Sequence, residues 1–222
     1  MTWYTTQVFV EPKQSIISAF CSAGLLSNGL FLIKHLDSYQ WPHPESYHNI
    51  PVNGLLIVRE LCNPNTHAAS WHGENAIYWN NSVRYTDTDV IRPIDIFSPD
   101  EFDISEESYP QIELLHFLKQ VSKATNSTIS LYHCAMWAGD IEEDFAWVFS
   151  DEDKVYVLKE RNSKQIIEYR GSGLNVISRV TPEGNVLQLV LRHHGIELRS
   201  RYFAPHTRSF AWEKYKLECN FR

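Results

Sequence analysis

Two histidines and a glutamate lie close together in one polar stretch and could bind a metal ion. His67 and His72 are five residues apart, and Glu74 follows in the segment His72-Gly73-Glu74. An H-x-E segment is half of the zinc deaminase signature, but the P-C-x-x-C half does not occur in this sequence. Solvated loop histidines explain the same pattern. His67, His72 and Glu74 therefore belong to an alternative interpretation, a metal-dependent hydrolase whose site only the fold would complete.

A second group of charged residues has the composition of a Mg²⁺-dependent nuclease site. Asp140 and Asp144 precede Glu152-Asp153-Lys154, and the E-x-K within that segment could place a lysine beside a metal. The same segment reads as a hairpin turn, where charged residues are expected because they are solvated. The formal net charge of -7 also argues against a surface that follows phosphates. We therefore predict no nucleic-acid partner.

Nucleophilic catalysis is not indicated by any local motif. Cys134 follows His133, but the two lie in an apolar stretch that predicts a strand, where neighbouring side chains point to opposite faces. The sequence has no G-x-S-x-G motif. Gly171-Ser172-Gly173 lacks the lysine that a phosphate-binding loop requires. The sequence thus predicts no catalytic residues and no cofactor.

One short segment combines an aromatic residue with a dense set of acids. Trp137, Asp140, Glu142, Glu143 and Asp144 fall within eight residues. Core aromatics next to solvated acids explain this composition residue by residue. Interfaces, however, use aromatic side chains as anchors, and acidic groups orient a basic partner. We interpret these five residues as the candidate partner-binding site.

Composition indicates the kind of chain that must position these residues. The 222 residues are 43% hydrophobic and 21% charged, which is typical of a folded globular protein that buries roughly 70% of its surface. The N-terminus lacks a signal-peptide pattern, and no apolar run approaches the length of a membrane span. Cytoplasmic residence without membrane contact is the expectation. Four scattered cysteines are expected to be reduced: Cys21, Cys62, Cys134 and Cys219.

The first half of the chain predicts a helix and five strands, two of them at residues 75–80 and 83–86. Residues 3–10 are β-branched and aromatic, which favours a strand, and Pro12 suits the first turn of a helix. Two similar nonapeptides follow, NGLFLIKHL (28–36) and NGLLIVREL (53–61). Each begins with a turn-forming Asn-Gly and continues as an apolar run. We interpret them as two strands of one sheet.

The second half predicts two helices and a run of strands. Ser108 with Gln111 forms a capping-box pattern, and Thr181-Pro182-Glu183 has the order of an N-cap, an N1 proline and an acidic first turn. His193 and His194 are expected in the last turn of the second helix, as cations that favour its C-terminus. The tail after them is predicted to be extended. Strands are predicted over residues 129–137, 144–149, 154–159 and 165–170.

These elements favour an α+β fold with a mixed, mainly antiparallel sheet and about three helices, because regular βαβ alternation is missing. We predict a single domain over residues 1–222. The alternative is a subdivision near residues 98–108.

Two segments are similar to small immunity proteins of bacterial toxin systems. The segment ISLYHCAMWAGDIEEDFAWVF (129–149) resembles their arrangement of a strand, a Trp/Gly/acid turn and a strand with Ala and Trp. The segment YFAPHTRSFAW (202–212) resembles their C-terminal parts. The resemblance implies a cytoplasmic, acidic and non-catalytic protein without a cofactor. It also implies that the acidic turn contacts a toxin.

The sequence therefore favours a protein-binding function. The expected partner is a basic toxin domain, which the chain would neutralise by occluding it. The sequence does not predict an oligomeric state.

Overall fold

Eight β-strands form one sheet in the part of the chain that the structure, a computed structural model, describes. All seven pairings between neighbouring strands are antiparallel. Within the described ranges three α-helices accompany the sheet, which confirms the α+β prediction. The described residues are 3–22, 29–35, 49–59, 112–137, 140–158, 166–170, 177–180, 185–198, 203–206 and 210–217.

The element bounds agree with most of the predicted segments. The strands are β1 (Trp3–Val10), β2 (Leu30–Ile33), β3 (Leu55–Arg59), β4 (Ile129–Trp137), β5 (Asp140–Phe149), β6 (Lys154–Leu158), β7 (Ile166–Arg170) and β8 (Ile177–Val180). The helices are α1 (Gln14–Ser22), α2 (Ile112–Thr125) and α3 (Val186–Arg192). Two 3-10 helices follow, at Ala204–His206 and Trp212–Tyr215.

The strands lie in the order β2-β3-β1-β4-β5-β6-β7-β8. From β4 to β8 each strand pairs with the next one along the chain, as in a meander. β1 lies inside the sheet, between β3 and β4, and pairs with β4 over its whole length, from Trp3 opposite Met136 to Val10 opposite Ile129. One end of the sheet therefore holds the start of β1 and the end of β4, and the other end holds the reverse.

The two similar nonapeptides form neighbouring strands, β2 and β3. They pair from Leu30 opposite Val58 to Ile33 opposite Leu55, which confirms that they belong to one sheet. Gly54 precedes β3 with φ at +90°, a backbone conformation that residues with a side chain rarely adopt. Its N–H donates to the carbonyl of Pro51 at 2.7 Å and closes a tight turn. The Asn-Gly pattern therefore marks a real turn at this strand.

The sheet is covered on both faces, and each face has its own core. We call α1 and α2 the two-helix layer. It packs against Val8, Leu131 and Trp147 through apolar residues such as Phe20 and Leu115. Both helices are amphipathic, which is why they bury one side on the sheet.

We call the described residues of 185–217 the C-terminal layer, which covers the opposite face. Leu187 and Phe203 are among its residues that pack against Phe9, Tyr132 and Ala146 of the sheet. Its last described residues also reach the sheet edge, since the N–H of Leu217 donates to the carbonyl of Leu30 at 2.7 Å. The tail was predicted to be extended. Its described residues instead contain two 3-10 helices, and Phe203, Phe210 and Trp212 are buried there.

Helix α3 begins later than predicted. Asn185 is its N-cap, and Asn185 and Gln188 form a reciprocal capping box with both hydrogen bonds at 2.9 Å. The prediction of an N-cap at Thr181 is therefore wrong. Gly195 ends the helical segment with φ at +74°, as predicted.

Several predictions lie partly or wholly outside the described residues, among them the strands at 75–80 and 83–86. The capping-box pattern at Ser108 and Gln111 precedes the described start of α2, and the alternative domain boundary at 98–108 falls in the same gap. Of the cysteines, Cys62 and Cys219 also lie outside. Cys21 and Cys134 are thiols and not part of a disulfide.

Candidate functional site

The predicted partner-binding residues lie at the end of the β4–β5 hairpin. Trp137 is the last residue of β4 and pairs with Asp140, the first residue of β5. The side chain of Asp140 is exposed. Glu142 lies two residues along β5, but its side chain and that of Trp137 lie outside the description. The hairpin end therefore presents at least one carboxylate to solvent.

A β-bulge in this hairpin precedes two acids that lie on opposite faces of the sheet. Ala135 pairs with Glu143 whereas Met136 pairs with Ile141, so Glu142 is the extra residue of the bulge. Glu143 then points to the two-helix layer and Asp144 to the C-terminal layer. Both are buried, with 9% and 3% of their surface exposed.

The prediction that Glu143 and Asp144 belong to a solvated surface turn is wrong. The strand was predicted to begin at residue 144, but pairing with β4 continues back to Asp140. Strand geometry then directs alternate side chains into the protein. Burial removes these two carboxylates from direct reach of a partner, whereas Asp140 remains accessible.

Glu143 is the last member of a hydrogen-bonded chain of three buried side chains. Thr6 Oγ1 lies 2.9 Å from His133 Nδ1, and His133 Nε2 lies 3.2 Å from Glu143 Oε2. The imidazole also stacks on Phe145, with ring centroids 4.8 Å apart. These side chains come from β1, β4 and β5, so the chain connects three neighbouring strands.

This order of hydroxyl, imidazole and carboxylate is the order of a nucleophile, a base and an orienting acid in acyl-transfer enzymes. Here Thr6 is only 2% exposed and His133 only 5%. A substrate carbonyl could not approach a hydroxyl that is enclosed to this degree. The chain of hydrogen bonds therefore satisfies buried polar groups and fixes the register of three strands.

The opposite face holds a second polar group, around Asp144. Burial raises the pKa of the Tyr132 hydroxyl well above its usual value, and the charge of Asp144 raises it further. Burial likewise raises the pKa of the Cys134 thiol, with Asp144 again adding to the effect. A thiol in this state stays protonated and is a poor nucleophile.

The C-terminal layer closes over this group through His206. Its ring stacks on Tyr132 at 5.8 Å, and its Nε2–H donates to Gln7 Oε1 at 3.0 Å. Burial lowers the pKa of His206 to about 3, and the nearby charge of Arg59 contributes to the decrease. The imidazole is therefore neutral at physiological pH, and its role is to join the tail to β1 and β4.

A small pocket lies at the other end of the sheet from the hairpin. Its volume is about 270 Å³. Glu11 and Thr128 line it from the end of β1 and the start of β4, and the turn before β3 forms another wall. The remaining wall consists of His193 and His194, at the end of α3.

The two histidines of the pocket do not have the charge predicted for them. Burial lowers the pKa of His193, and it lowers the pKa of His194 to about 3. His194 Nε2 lies 2.8 Å from Ser130 Oγ, and His193 Nε2 lies 2.9 Å from Tyr156 Oη. The prediction that both are cations at a helix terminus is wrong, because partial burial against the sheet disfavours the charged form of each imidazole.

The metal ligands of the alternative interpretation, His67, His72 and Glu74, lie outside the described residues. Among the residues that the structure does describe, no three His, Cys, Asp or Glu side chains form a group that could hold a metal ion.

The sequence analysis missed Thr6, Gln7 and Glu11 as members of these groups. Thr6 and Gln7 are polar residues in an otherwise apolar strand, which was the available signal. Their partners could not be identified from it, because they lie 127 and 199 residues away.

No protein-family model matches the chain, and no curated protein or solved structure matches it either. None of the helices within the described ranges combines the length and apolar character needed to cross a membrane.

Proposed function

We propose that this chain is a non-catalytic protein-binding protein, an immunity protein that neutralises a basic toxin domain by occluding it. The observation that carries this proposal is the packing of the two segments that resemble immunity proteins. The described residues of 129–149 form the β4–β5 hairpin. The described part of 202–212 packs on the face of that hairpin which carries Tyr132 and Ala146. Tyr132 stacks on His206 between them, and Phe203 and Phe210 belong to the same core as Ala146.

The exposed end of the hairpin supports a binding role for that region. Asp140 offers a solvated carboxylate, and the backbone positions of Trp137 and Glu142 lie beside it. Glu143 and Asp144 lie buried behind this surface, and the contact of Glu143 with His133 connects β5 to β4. The proposed contact surface is therefore the hairpin end itself.

The charge of the chain supports a basic partner. With a net charge of -7, the protein attracts a cationic surface and repels nucleic acid. A cytoplasmic location and independence from a cofactor belong to the same proposal. Both are properties of the immunity proteins that the sequence resembles.

Protection against a toxin tests the proposed function directly. Expression of this chain should rescue cells from a toxin encoded beside its gene, and the two proteins should co-purify. Asp140→Lys should weaken the complex about tenfold or more, because it places a cation against a basic surface. Glu213→Lys is the control: Glu213 is an exposed carboxylate beside the β2 edge of the sheet, four strands from β5, and its reversal should have little effect.

Two outcomes would contradict the proposal. One is that no neighbouring toxin is neutralised and no protein partner co-purifies. The other is stoichiometric zinc or iron in the purified protein, which would favour the metal-dependent hydrolase with His67, His72 and Glu74. Elemental analysis measures the metal content without any knowledge of the substrate.

A further inference from the structure

The pocket at the end of β1 has walls that are fixed before any ligand arrives. His194 is held by Ser130 and contacts Phe9, and His193 is held by Tyr156. The facing wall is the turn closed by Gly54, whose N–H donates to Pro51. Pre-organised walls lower the entropic cost of binding.

The charges around the pocket favour a cation. Glu11 is the charged residue among the described lining residues. Burial acts to raise its pKa, but hydrogen bonds from Lys13 and Ser127 and the charge of Lys13 outweigh this effect, so the pKa lies below its usual value. The carboxylate is thus ionised at physiological pH. Because both imidazoles in the opposite wall are neutral, the lining contains no positive charge that would attract an anion.

Lys13 only partly neutralises Glu11. Its Nζ lies 2.6 Å from Glu11 Oε1, but it also donates to Ser127 Oγ at 2.7 Å and reaches the carbonyl oxygens of Thr125 and Asn126 at 3.4 Å. These carbonyls end α2, where a cation is stabilised by the helix dipole. A carboxylate has about four acceptor positions, so Glu11 keeps capacity for another donor.

The size and shape of the pocket select the kind of cation. A volume of about 270 Å³ is below the range of roughly 300–1,000 Å³ that is usual for drug-sized ligands, and it suits one long side chain. A guanidinium presents five N–H donors in a planar fork, which suits acceptors that converge from several walls. Pro51 and Leu55 are apolar residues of the lining and offer surface to the stem of such a side chain.

We infer that this pocket is a binding site for a guanidinium group, presented by an arginine side chain of the protein partner. Its acceptors are the Glu11 carboxylate, the Asn53 amide oxygen and the Thr128 hydroxyl, and the neutral rings of His193 and His194 form the opposite wall. The identity of the occupant as part of a protein rests on the proposed function. The site itself does not, because it can be measured with a small probe.

The pocket is also separate from the hairpin end. Glu11 and Thr128 flank the pair Val10–Ile129, whereas Asp140 pairs with Trp137 at the opposite end of β4. Eight residue steps along β4 separate the two ends, or roughly 25 Å at the usual rise of a strand. A variant at one end should therefore leave binding at the other end unchanged.

The probe is N-acetyl-arginine amide, and its control is N-acetyl-citrulline amide, which has a similar shape but no charge. In ¹⁵N–¹H spectra of the full chain, the arginine probe should shift the amide signals of Gly54 and Gly195, and the citrulline probe should not. Equal shifts with both probes would show that charge is not recognised and would overturn the inference. The absence of shifts with the arginine probe would overturn it as well.

Two substitutions with opposite expected effects test the assignment of the carboxylate. Glu11→Gln should weaken binding of the arginine probe about tenfold, because it removes a charge-assisted hydrogen bond. Asn53→Asp should strengthen it by a similar factor, since it adds a carboxylate to an exposed position of the same wall. Unchanged affinity in both variants would overturn the inference, and unchanged spectra away from the pocket verify that both fold.

The same variants separate the two proposals. If the probe binds as expected but no toxin is neutralised, the guanidinium site stands and the proposed function fails. If a toxin is neutralised and Asp140→Lys weakens it while the arginine probe does not bind, the proposed function stands and the guanidinium site fails. If both hold, Glu11→Gln should also weaken the complex with the toxin.

Discussion

His133 and Cys134 are adjacent residues of β4, and they differ in their surroundings because successive side chains of a strand point to opposite faces of the sheet. His133 points to the two-helix layer and bonds with Thr6 and Glu143, whereas Cys134 points to the C-terminal layer beside Tyr132 and Asp144. Alternation along β4 is sufficient to predict that His133 cannot activate Cys134. It does not reveal which distant side chains each of them meets.

At the residue scale, alanine substitutions at Gly54 and Gly195 can distinguish the cost of backbone strain from the cost of a steric clash. Both have positive φ, but a Cβ on Gly54 would lie 2.8 Å from the carbonyl oxygen of Ile33, whereas one on Gly195 would meet only Pro51 Cγ at 3.8 Å. We predict that Gly195→Ala lowers the free energy of unfolding by about 1 kcal/mol. Gly54→Ala should lower it by about 3 kcal/mol, because overlap with backbone adds to the strain. Urea denaturation measures both, and equal losses would contradict the role given to the Ile33 carbonyl.

At the scale of elements, patterns that act within one segment were sufficient for most of the fold. Strands β1 and β4 have the predicted bounds, and the Asn-Gly nonapeptides correctly indicate two strands of one sheet. β5 was predicted too short because its first residues are acidic and read as a turn. What keeps those acids in the strand is their pairing with β4 and the partners of Glu143, such as His133, which a local pattern cannot show.

The start of α3 is a similar case, since two N-cap patterns lie four residues apart. Asn185 has the hydrogen bonds of a capping box with Gln188, and α3 has only seven residues, so the cap contributes a large share of its stability. Asn185→Ala should lower the free energy of unfolding by about 1 kcal/mol. Thr181→Ala, at the position predicted from sequence, is the control and should change it by much less. A larger loss in Thr181→Ala than in Asn185→Ala would show that the helix begins earlier.

At the scale of the whole molecule, the sheet lies between two layers that are attached differently. The two-helix layer packs through apolar side chains and through the salt bridge of Lys119 with Asp153, at 2.8 Å. The C-terminal layer adds hydrogen bonds from three histidines to the sheet: His193 to Tyr156, His194 to Ser130, and His206 to Gln7. The sequence correctly predicts His193 and His194 at the end of a helix but wrongly predicts that they are cations. Their charge depends on burial, and burial depends on how the whole layer packs.

The attachment of the C-terminal layer should depend on pH. The pKa values of His194 and His206 fall to about 3 in the folded protein, with burial as the main cause in each. In the unfolded chain they return to about 6.5, so the unfolded state binds protons at a pH where the folded state does not. Their contribution to stability is complete above pH 6.5 and decreases as the pH falls from 6.5 towards 3. Between pH 6.5 and 3, the two histidines together should lower the free energy of unfolding by up to about 3 kcal/mol for each unit by which the pH falls.

His206→Gln isolates one of these contributions. Glutamine can still donate an N–H to Gln7 but cannot be protonated, so the slope of unfolding free energy against pH should fall by up to about 1.4 kcal/mol per pH unit. Urea denaturation at pH 7, 6 and 5 measures this slope in both proteins, above the range in which carboxylates titrate.

Hydrogen exchange should show the amides of α3 losing protection in acid before those of α1 and α2, because the histidines attach only the C-terminal layer. Parallel pH dependence in the wild type and His206→Gln would mean that His206 does not couple the tail to the sheet, and simultaneous loss of protection in all three helices would mean that the layers unfold as one unit.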